Sequence, residues 1–498
     1  MNRTIMKKMR IKEVHFEQEP EPVTGKGRNT ELGIVTYTFV FVFLLMVGYL
    51  VYLNVWKADE LNSNVYNTKQ DANIDKYIRG SILSSDGSVL AKTEVSESGE
   101  EYRVYPYANV FSHVIGYSSN GKSGLESSCN SDLLDCHASV LKQIQDEEND
   151  EKMRGDSVVV TLNAALQQSA YDALGYYNGA VIAMEPDTGK ILAMVSKPDY
   201  DPNQIEAIWE ELITDTSSSV LLNRATQGLY PPGSTFKILT TLAYMRQQPG
   251  AFQNFQYDCT SQLSVGDVTI NCYNNKVHGT EDLKNALARS CNTAYASIGL
   301  ELDNSEFRSL CEEFLFNKAL PTTLQHSTSQ FALDSGSSDG EEMTTAIGQG
   351  NTVVTPLHMA LLTSTVANGG IMMRPYVVDS VQSTDGNVVS KNKPSKYKRL
   401  MTTEESRILT EYMQETVLTG TATSLGWYGF TVAGKTGSAE YVSNGYEGTH
   451  SWFVGFSNVE DPDLVVVVIA EDGGTGSETA VPIAAQVFQT YYNSVIGQ

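Results

Sequence analysis

The sequence predicts an α/β (α+β) protein with a membrane anchor, a small β-rich pedestal, and a larger domain in which a sheet and an all-α subdomain flank a cleft. Three observations predict this fold class. They are an uncharged apolar run near the N-terminus, β-like segments at both ends of the region after residue 155, and a mostly helical stretch between those segments. The corresponding regions are residues 1–32 (cytoplasmic tail), 33–56 (transmembrane helix), 57–155 (pedestal or stalk) and 156–498 (larger domain).

Length and composition exclude several classes of protein. A chain of 498 residues allows two to four domains, at roughly 100–200 residues each. With 41% hydrophobic and 19% charged residues, it is neither a disordered polymer nor a multi-span membrane protein. The net charge is −24, and phosphate backbones repel such a surface, so no nucleic-acid partner is expected.

Residues 33–56 carry no charge, and as a helix they would be about 36 Å long, which is enough to cross a bilayer core. A cleaved signal peptide is disfavoured, because Tyr52, Leu53, Val55 and Trp56 stand where small residues would be needed. The preceding short flank is predicted to stay cytoplasmic because basic residues outnumber acidic ones there. The sequence therefore predicts a single-pass plasma-membrane protein whose larger domain is extracellular. The basic residues are Arg3, Lys7, Lys8, Arg10, Lys12, Lys26 and Arg28.

The pedestal and the larger domain differ in their predicted elements. Residues 57–155 contain Asn, Ser, Asp and Gly clusters and short β-like runs at 104–107 and 110–117. In the larger domain, the run at 464–470 is apolar on both faces, as a central strand should be. The order of elements predicts one sheet built from both ends of the domain. The elements are early strands at 179–184 and 191–196, a mostly helical stretch over 204–420, late strands at 431–442, 452–456 and 464–470, and a helix over 481–496.

The first motif is Ser234-Thr235-Phe236-Lys237, which follows two prolines and a glycine at the start of a helical pattern. Residues three apart share a helix face, so Lys237 is placed to accept the proton of the Ser234 hydroxyl. A lysine acts as a base only when burial and neighbouring cations depress its pKa. Alone, the pattern also fits a helix-capping serine followed by a surface lysine.

Two further motifs favour the catalytic interpretation of the first motif over helix capping. Ser290 and Asn292 are separated by one residue within the helical stretch, where the serine can relay a proton and the amide can hold a substrate amide or the lysine. Lys435-Thr436-Gly437-Ser438 lies on the first late strand, where a cation and hydroxyls suit a substrate carboxylate and Gly437 allows a substrate backbone to approach. Together the three motifs predict nucleophilic acyl transfer.

The set SxxK, SxN and KTG resembles that of the penicillin-recognising serine acyltransferases. Flanking segments resemble the transpeptidase domain of class B penicillin-binding proteins, and residues 78–91 resemble part of their pedestal. The anchor, the short pedestal and the total length look most like the penicillin-binding protein A subgroup of Gram-positive bacteria. The resemblance covers roughly residues 75–498 and implies the penicillin-binding transpeptidase fold, with an antiparallel sheet flanked by helices. The segments are ATQGLYPPGSTFK, SCNTAYA, AIGQGNTVVTPLHMA, GKTGSAE, HSWFVGF and IRGSILSSDGSVLA.

The resemblance implies that Ser234 attacks the penultimate D-alanine of a peptidoglycan stem peptide and that β-lactams acylate it. Lys237 is the implied base, and backbone N–H groups of Ser234 and Ser438 would form the oxyanion hole. Ser290 and Asn292 would pass protons and orient the lysine and the substrate. Lys435, Thr436 and Ser438 would bind the substrate carboxylate. Two positions depart from the usual pattern, with Cys291 inside the middle motif and Ser438 where threonine is usual.

Three alternatives stay open at this point. A D,D-carboxypeptidase or a β-lactamase-like hydrolase would use the same acyl-enzyme with water as the acceptor. A non-catalytic β-lactam sensor or division scaffold would keep Ser234 without turnover. A bifunctional polymerase–transpeptidase is disfavoured because residues 57–155 are too few for a polymerase domain. The expected partners are stem peptides, β-lactams and the plasma membrane. A lipid II polymerase of the shape or division family is a further candidate that the sequence does not identify.

No metal and no cofactor is expected. The histidines show no ligand spacing, and two matches to a phosphate-loop pattern, at 116–123 and 429–436, fail on context. Two cysteine pairs are candidate disulfides on the oxidising side of the membrane, and six free thiols are the alternative. The favoured pair is Cys259–Cys272, which flanks a polar stretch that reads as a hairpin-like excursion, and the second candidate is Cys129–Cys136. The remaining two, Cys291 and Cys311, are predicted to be buried and reduced.

Overall fold

The structure is a computed structural model that describes residues 26–56, 77–149, 152–215, 219–443 and 446–495. The chain divides into two units, residues 1–62 and 63–498. The first unit contains one helix, α1 (Lys26–Trp56). Within it, Thr30–Val55 has a mean hydropathy of 2.4 and is long enough to cross a membrane, which agrees with the predicted anchor. The tail predicted for residues 1–32 lies mostly outside the described residues.

The second unit contains helices and strands throughout. Its helices are α2 (Ser112–Ile115), α3 (Gly124–Ser128), α4 (Asn130–Leu134), α5 (Val140–Glu148), α6 (Ala164–Leu174), α7 (Ile205–Thr214), α8 (Arg224–Gln227), α9 (Lys237–Gln247), α10 (Leu283–Ala288), α11 (Asn292–Glu301), α12 (Asn304–Glu313), α13 (Asp339–Ala346), α14 (Pro356–Ala367), α15 (Thr403–Leu418) and α16 (Val481–Thr490). Its strands are β1 (Tyr77–Ile78), β2 (Ile82–Leu83), β3 (Val89–Val95), β4 (Glu101–Val104), β5 (Met153–Arg154), β6 (Ser157–Val160), β7 (Gly179–Met184), β8 (Ile191–Lys197), β9 (Tyr257–Cys259), β10 (Gln262–Val265), β11 (Val268–Asn271), β12 (Gly279–Glu281), β13 (Ile371–Met373), β14 (Val378–Gln382), β15 (Val388–Lys391), β16 (Lys396–Arg399), β17 (Val432–Ser443), β18 (Tyr446–Ser457) and β19 (Leu464–Ala470).

The main sheet is antiparallel and has the order β17-β18-β19-β7-β8, so both ends of the larger domain contribute strands, as predicted. Its central strand β19 is buried along its whole length. Val465 and Val467 belong to the hydrophobic core that includes α14, whereas Val466 and Val468 belong to the core that includes α6 and α16. Because helices cover both faces, this strand needs apolar residues at every position, which explains the run LVVVVIA.

A second sheet joins the predicted pedestal to the larger domain. Its order is β15-β14-β6-β2-β3-β4, so strands from residues 82–104 continue into β6 and then into strands far along the chain. Gly80 and Gly155 lie in close backbone contact at this junction, where a Cβ on Gly80 would meet the carbonyl of Asp156 at 1.8 Å. The predicted boundary at 155/156 lies between β5, which pairs with β1, and β6, which pairs with β2 in the second sheet. The boundary stays a prediction.

Three predictions of local structure are wrong. Of the run at 104–107, expected to be β-like, only Val104 lies in a strand (β4), and residues 105–107 form a turn. Residues 110–117, expected to be β-like, form a 3₁₀ turn (Ala108–Phe111) followed by α2. The buried residues Phe111, Val114 and Ile115 are spaced for a helix face, and the β-branched residues obscured that spacing. The subdomain expected to be all-α includes the strand pairs β9–β12 and β10–β11, which pack beside α11.

Candidate active site

The three motifs meet at the edge strand β17 of the main sheet. Ser234 lies in a 3₁₀ turn (Gly233–Phe236) that leads directly into α9. This turn packs tightly on β17, because a Cβ at Gly437 would lie 3.1 Å from the Thr235 Cγ2 atom. Gly233 adopts φ +55°, a conformation that favours glycine, and a Cβ there would lie 3.0 Å from the carbonyl of Ser438. Gly437 thus has a packing role, and the close substrate approach suggested by the sequence stays a prediction.

Lys237 is fully buried, and its side chain reaches the middle motif. Its Nζ donates to the carbonyl oxygen of Ser290 at 2.9 Å, to the Ser290 Oγ at 3.3 Å and to the Asn292 Oδ1 at 2.8 Å. Burial lowers the pKa of Lys237 from 10.5 to about 8. The predicted proximity of Lys237 to Ser290 and Asn292 is therefore present, and its amine can be neutral in part near neutral pH.

Lys435 is also fully buried, and it approaches Ser290 from the other side. Its Nζ donates to the Ser290 Oγ and to the carbonyl oxygen of Thr436, both at 2.9 Å. Burial, and then the nearby charge of Lys237, hold the pKa of Lys435 well below its usual range. The hydroxyl of Ser290 therefore joins two lysines, and a proton can pass between them through one oxygen atom.

The residues that could contact a ligand lie above the two lysines. Ser234, Ser290, Asn292 and Ser438 are half-buried, whereas Lys237 and Lys435 are enclosed. Ser290 has φ +59°, in the left-handed region that is costly for a residue with a Cβ, so the surrounding contacts must hold it in place. The partly exposed groups of the site are thus hydroxyls and an amide, and the two lysine side chains are enclosed behind them.

The structure adds three residues that the motifs did not reveal. Thr421 and Thr436 share a hydrogen bond between their hydroxyls at 2.5 Å, and the carbonyl oxygen of Asn271 accepts from the Asn292 Nδ2 at 2.9 Å. Trp452 is fully buried, and its Nε1 donates to the carbonyl oxygen of Pro231 at 3.1 Å, which fixes the turn before Ser234. Asn271 and Thr421 have no motif of their own, while Trp452 lies in HSWFVGF without an assigned role.

All six cysteines are free thiols in the structure, so the two predicted disulfides are not formed. The Sγ atoms of Cys259 and Cys272 are 3.7 Å apart, beyond the roughly 2.05 Å of a disulfide. Cys291 and Cys311 are both fully buried, as predicted. One histidine, which the sequence left among structural or surface residues, lies against this group, since the Nδ1 of His278 is 3.4 Å from the Cys259 Sγ.

Comparison with known proteins agrees with this geometry. Residues 179–489 match the penicillin binding protein transpeptidase domain, and residues 79–158 match the penicillin binding protein A dimerisation domain. Among curated relatives, the peptidoglycan D,D-transpeptidase PbpA of Mycolicibacterium smegmatis is 32% identical, over 91% of this chain and 97% of that protein. Stage V sporulation protein D of Bacillus subtilis is 28% identical, over 78% of this chain and 64% of that protein.

Solved structures give the same result for the fold. The D,D-transpeptidase domain of a peptidoglycan glycosyltransferase from Eggerthella lenta has a TM-score of 0.76 at 33% identity, over 85% of this chain and 99% of that one. An imipenem acyl-enzyme complex of penicillin-binding protein A from M. tuberculosis has a TM-score of 0.77 at 30% identity, over 85% of this chain and 100% of that one. With these matches and the three motifs gathered at one sheet edge, the chain belongs to the penicillin-binding protein transpeptidase family.

Proposed function

We propose that this protein is a serine-type peptidoglycan D,D-transpeptidase that cross-links stem peptides through an acyl-enzyme on Ser234 and is covalently inhibited by β-lactams. The observation that carries the proposal is the junction in which Lys237 and Lys435 both donate to the Ser290 hydroxyl. A serine hydroxyl needs a base to become a nucleophile, and a buried lysine with a depressed pKa is such a base.

The reaction follows from these positions. The Ser234 Oγ attacks the carbonyl carbon of the penultimate D-alanine, and its proton passes to the neutral Nζ of Lys237. Backbone N–H groups of Ser234 and Ser438 stabilise the oxyanion. The amide bond to the terminal D-alanine then breaks, and the proton reaches the leaving amine through the Ser290 Oγ. An amine from a second stem attacks the ester, forms the cross-link and returns a proton to Ser234.

Substrate orientation is assigned to the strand β17. The hydroxyls of Thr436 and Ser438 are proposed to donate hydrogen bonds to the terminal carboxylate, with Gly437 between them keeping the strand close to Ser234. Lys435 is proposed to support this subsite from behind, through the hydrogen bonds that its enclosed Nζ donates to the Ser290 Oγ and to the carbonyl oxygen of Thr436. Asn292 is proposed to hold both Lys237 and the substrate amide, which its position beside the cleft supports.

The decisive experiment is covalent labelling of the full-length protein in detergent with a fluorescent penicillin. Ser234→Ala is expected to abolish labelling while thermal unfolding stays cooperative, and Ser305→Ala, at an exposed serine of α12, is the matched control. Wild-type protein that has not been exposed to penicillin should release D-alanine from a stem pentapeptide and form dimers when an acceptor amine is present. Full labelling of Ser234→Ala would move the nucleophile elsewhere, and release without dimers would favour a carboxypeptidase.

The finer assignments are also proposals. We place the N-terminus in the cytoplasm and residues 57–498 outside, as a pedestal (57–155) and a transpeptidase domain (156–498), on the support of the apolar α1 and the basic flank. A transpeptidase consumes polymer that another enzyme must supply, so a lipid II polymerase is the proposed partner. Thiol labelling of single cysteines placed before and after α1 tests the topology, and cross-linking in membranes tests the partner.

A further inference from the structure

A second cluster of side chains lies directly behind the segment from Ser290 to Asn292. Cys259, Cys272, His278 and Cys291 each offer one sulfur or ring nitrogen atom, and these four atoms all lie within 4.8 Å of one another. The three cysteines are buried and the histidine is half-buried. Each residue comes from a different place in the chain, at the end of β9, after β11, before β12 and just before α11.

The distances within this cluster are those of a tetrahedral site. With Zn–S bonds of about 2.3 Å, two sulfur ligands at a tetrahedral angle lie about 3.8 Å apart, and sulfur lies about 3.6 Å from a nitrogen ligand. The Sγ of Cys272 lies 3.7 Å from that of Cys259 and 3.8 Å from that of Cys291. The Nδ1 of His278 lies 3.4 Å from the Cys259 Sγ. Three soft sulfurs and one imidazole are also the ligand set of structural zinc sites.

The local fold gives an independent reason for an ion at this position. Residues 257–281 form two small strand pairs, and the only buried apolar side chain among them besides the cysteines is Ile270. A segment with so little apolar burial needs another source of stability, as small metal-bound domains do. The hydroxyl of the buried Thr293 lies 3.3 Å from the Cys259 sulfur and 3.4 Å from the Cys291 sulfur, where it can donate to a thiolate.

We propose that Cys259, Cys272, His278 and Cys291 bind one zinc ion with tetrahedral geometry and that this ion positions the Ser290–Asn292 segment. Binding takes the lone pair of neutral His278 and displaces one proton from each of the three thiols to solvent, so no oxidant or reductant is needed. The site replaces the sequence expectation of a metal-free protein and of a Cys259–Cys272 disulfide.

Two of the proposed zinc ligands are linked to the active-site residues through the main chain. Cys291 separates Ser290 from Asn292, and Cys272 follows Asn271, whose carbonyl oxygen accepts from the Asn292 amide at 2.9 Å. One ion bound to both cysteines therefore fixes the two ends of the hydrogen bond that holds Asn292. The ion also restrains the backbone of Ser290, which adopts a left-handed conformation. The hydroxyl of this residue accepts hydrogen bonds from Lys237 and Lys435. The four ligands are thus positioning residues and do not touch the reacting atoms.

Metal content tests the site without reference to acylation. The full-length protein is purified in detergent without chelators or metal-affinity resin. Elemental mass spectrometry of the acid-digested protein should then find about one zinc per chain. Cys259→Ser and Cys272→Ser should lose most of it, whereas Cys136→Ser and Cys311→Ala, at cysteines outside the cluster, should keep it. Wild-type protein without metal, equal zinc in Cys259→Ser, or a Cys259–Cys272 disulfide in non-reducing peptide maps would overturn the proposal.

Cobalt substitution keeps the test independent of whether the variants fold. Wild-type protein stripped with a chelator and loaded with Co²⁺ should show thiolate-to-cobalt charge-transfer bands and the intense visible bands of tetrahedral coordination. Weak octahedral bands would contradict the site.

The positioning role has its own readout and rests on the proposed acylation of Ser234. Zinc removal should slow labelling by fluorescent penicillin about 10–100-fold, and zinc addition should restore it. An unchanged rate in metal-free protein would overturn the positioning role. Protein that binds zinc but never labels would instead contradict the proposed function alone.

Discussion

The segment from Ser290 to Asn292 separates two clusters of different chemistry. On one side, two buried lysines donate to the Ser290 hydroxyl, and their pKa values are held low by burial. On the other side, the sulfurs of Cys259 and Cys272 and the imidazole of His278 lie close to the thiol of Cys291. The two lysine amines can gain and lose protons at little cost in free energy. The sulfur and imidazole groups are instead suited to hold the main chain around Cys291 in one conformation. The comparison shows that one short segment separates a group of titratable lysines from a group of possible metal ligands.

Loss of Lys237 should have the largest effect on the lysine side. Lys237→Ala is expected to reduce the acylation rate by about 10²-fold or more, because the general base is removed. Stopped-flow measurement of penicillin acylation checks this result, with Lys396→Ala at an exposed lysine of β16 as the control. A Lys237→Ala variant that acylates at the wild-type rate would reassign the base.

Loss of the second cation should have an intermediate effect. Lys435→Met keeps most of the side-chain volume but removes the charged donor, and a charge-assisted hydrogen bond is worth about 1.5–3 kcal/mol, so acylation should slow by roughly 10–150-fold. Lys435→Ala adds a cavity to the same loss. If Lys435→Met acylates normally while Lys435→Ala is slow, packing rather than charge explains the position.

The pH dependence of acylation reports the protonation of Lys237. The amine accepts a proton only when neutral, so below its pKa of about 8 the rate should rise about tenfold per pH unit and then level off. Lys435→Met should leave the midpoint near 8, because burial is the main cause of the lowered Lys237 pKa. A midpoint near the ordinary 10.5, or a flat profile, would contradict this electrostatic account.

The smallest expected effect concerns Thr421. Its hydroxyl shares a hydrogen bond with Thr436, and a neutral hydrogen bond contributes about 0.5–1.5 kcal/mol, so Thr421→Val should slow acylation about 2–10-fold. Thr421→Ser retains the hydroxyl and should restore the rate. Equal rates in Thr421→Val and wild type would mean that Thr436 needs no such support.

The two clusters also differ in how far the sequence could predict them. Lys237 lies three residues from Ser234, and short spacing on a helix start predicted their common location. The sulfur cluster brings together positions from 259 to 291 through two strand pairs, of which the sequence predicted only the hairpin between Cys259 and Cys272. Because the β9–β12 pair was not predicted, Cys259 and Cys272 suggested a simple disulfide, and His278 had no partner in view.

Some elements were predictable because burial on both faces leaves a clear pattern. The continuous apolar run of β19 predicted a central strand, and the structure confirms it. The strand prediction for residues 110–117 is wrong because valine and isoleucine favour strands, whereas tertiary packing here favours a helix. Thr421 and Asn271 reach the site only through tertiary contacts, so no local signal could have identified them.

Trapping of the acyl-enzyme formed from a stem pentapeptide tests the central claim most directly. After rapid quenching, peptide mapping should locate a tetrapeptidyl ester on Ser234, with one D-alanine released per ester formed. A chase with an acceptor amine should convert that ester into cross-linked dimer. An ester on another residue, or a chase that gives only hydrolysed tetrapeptide, would contradict the account.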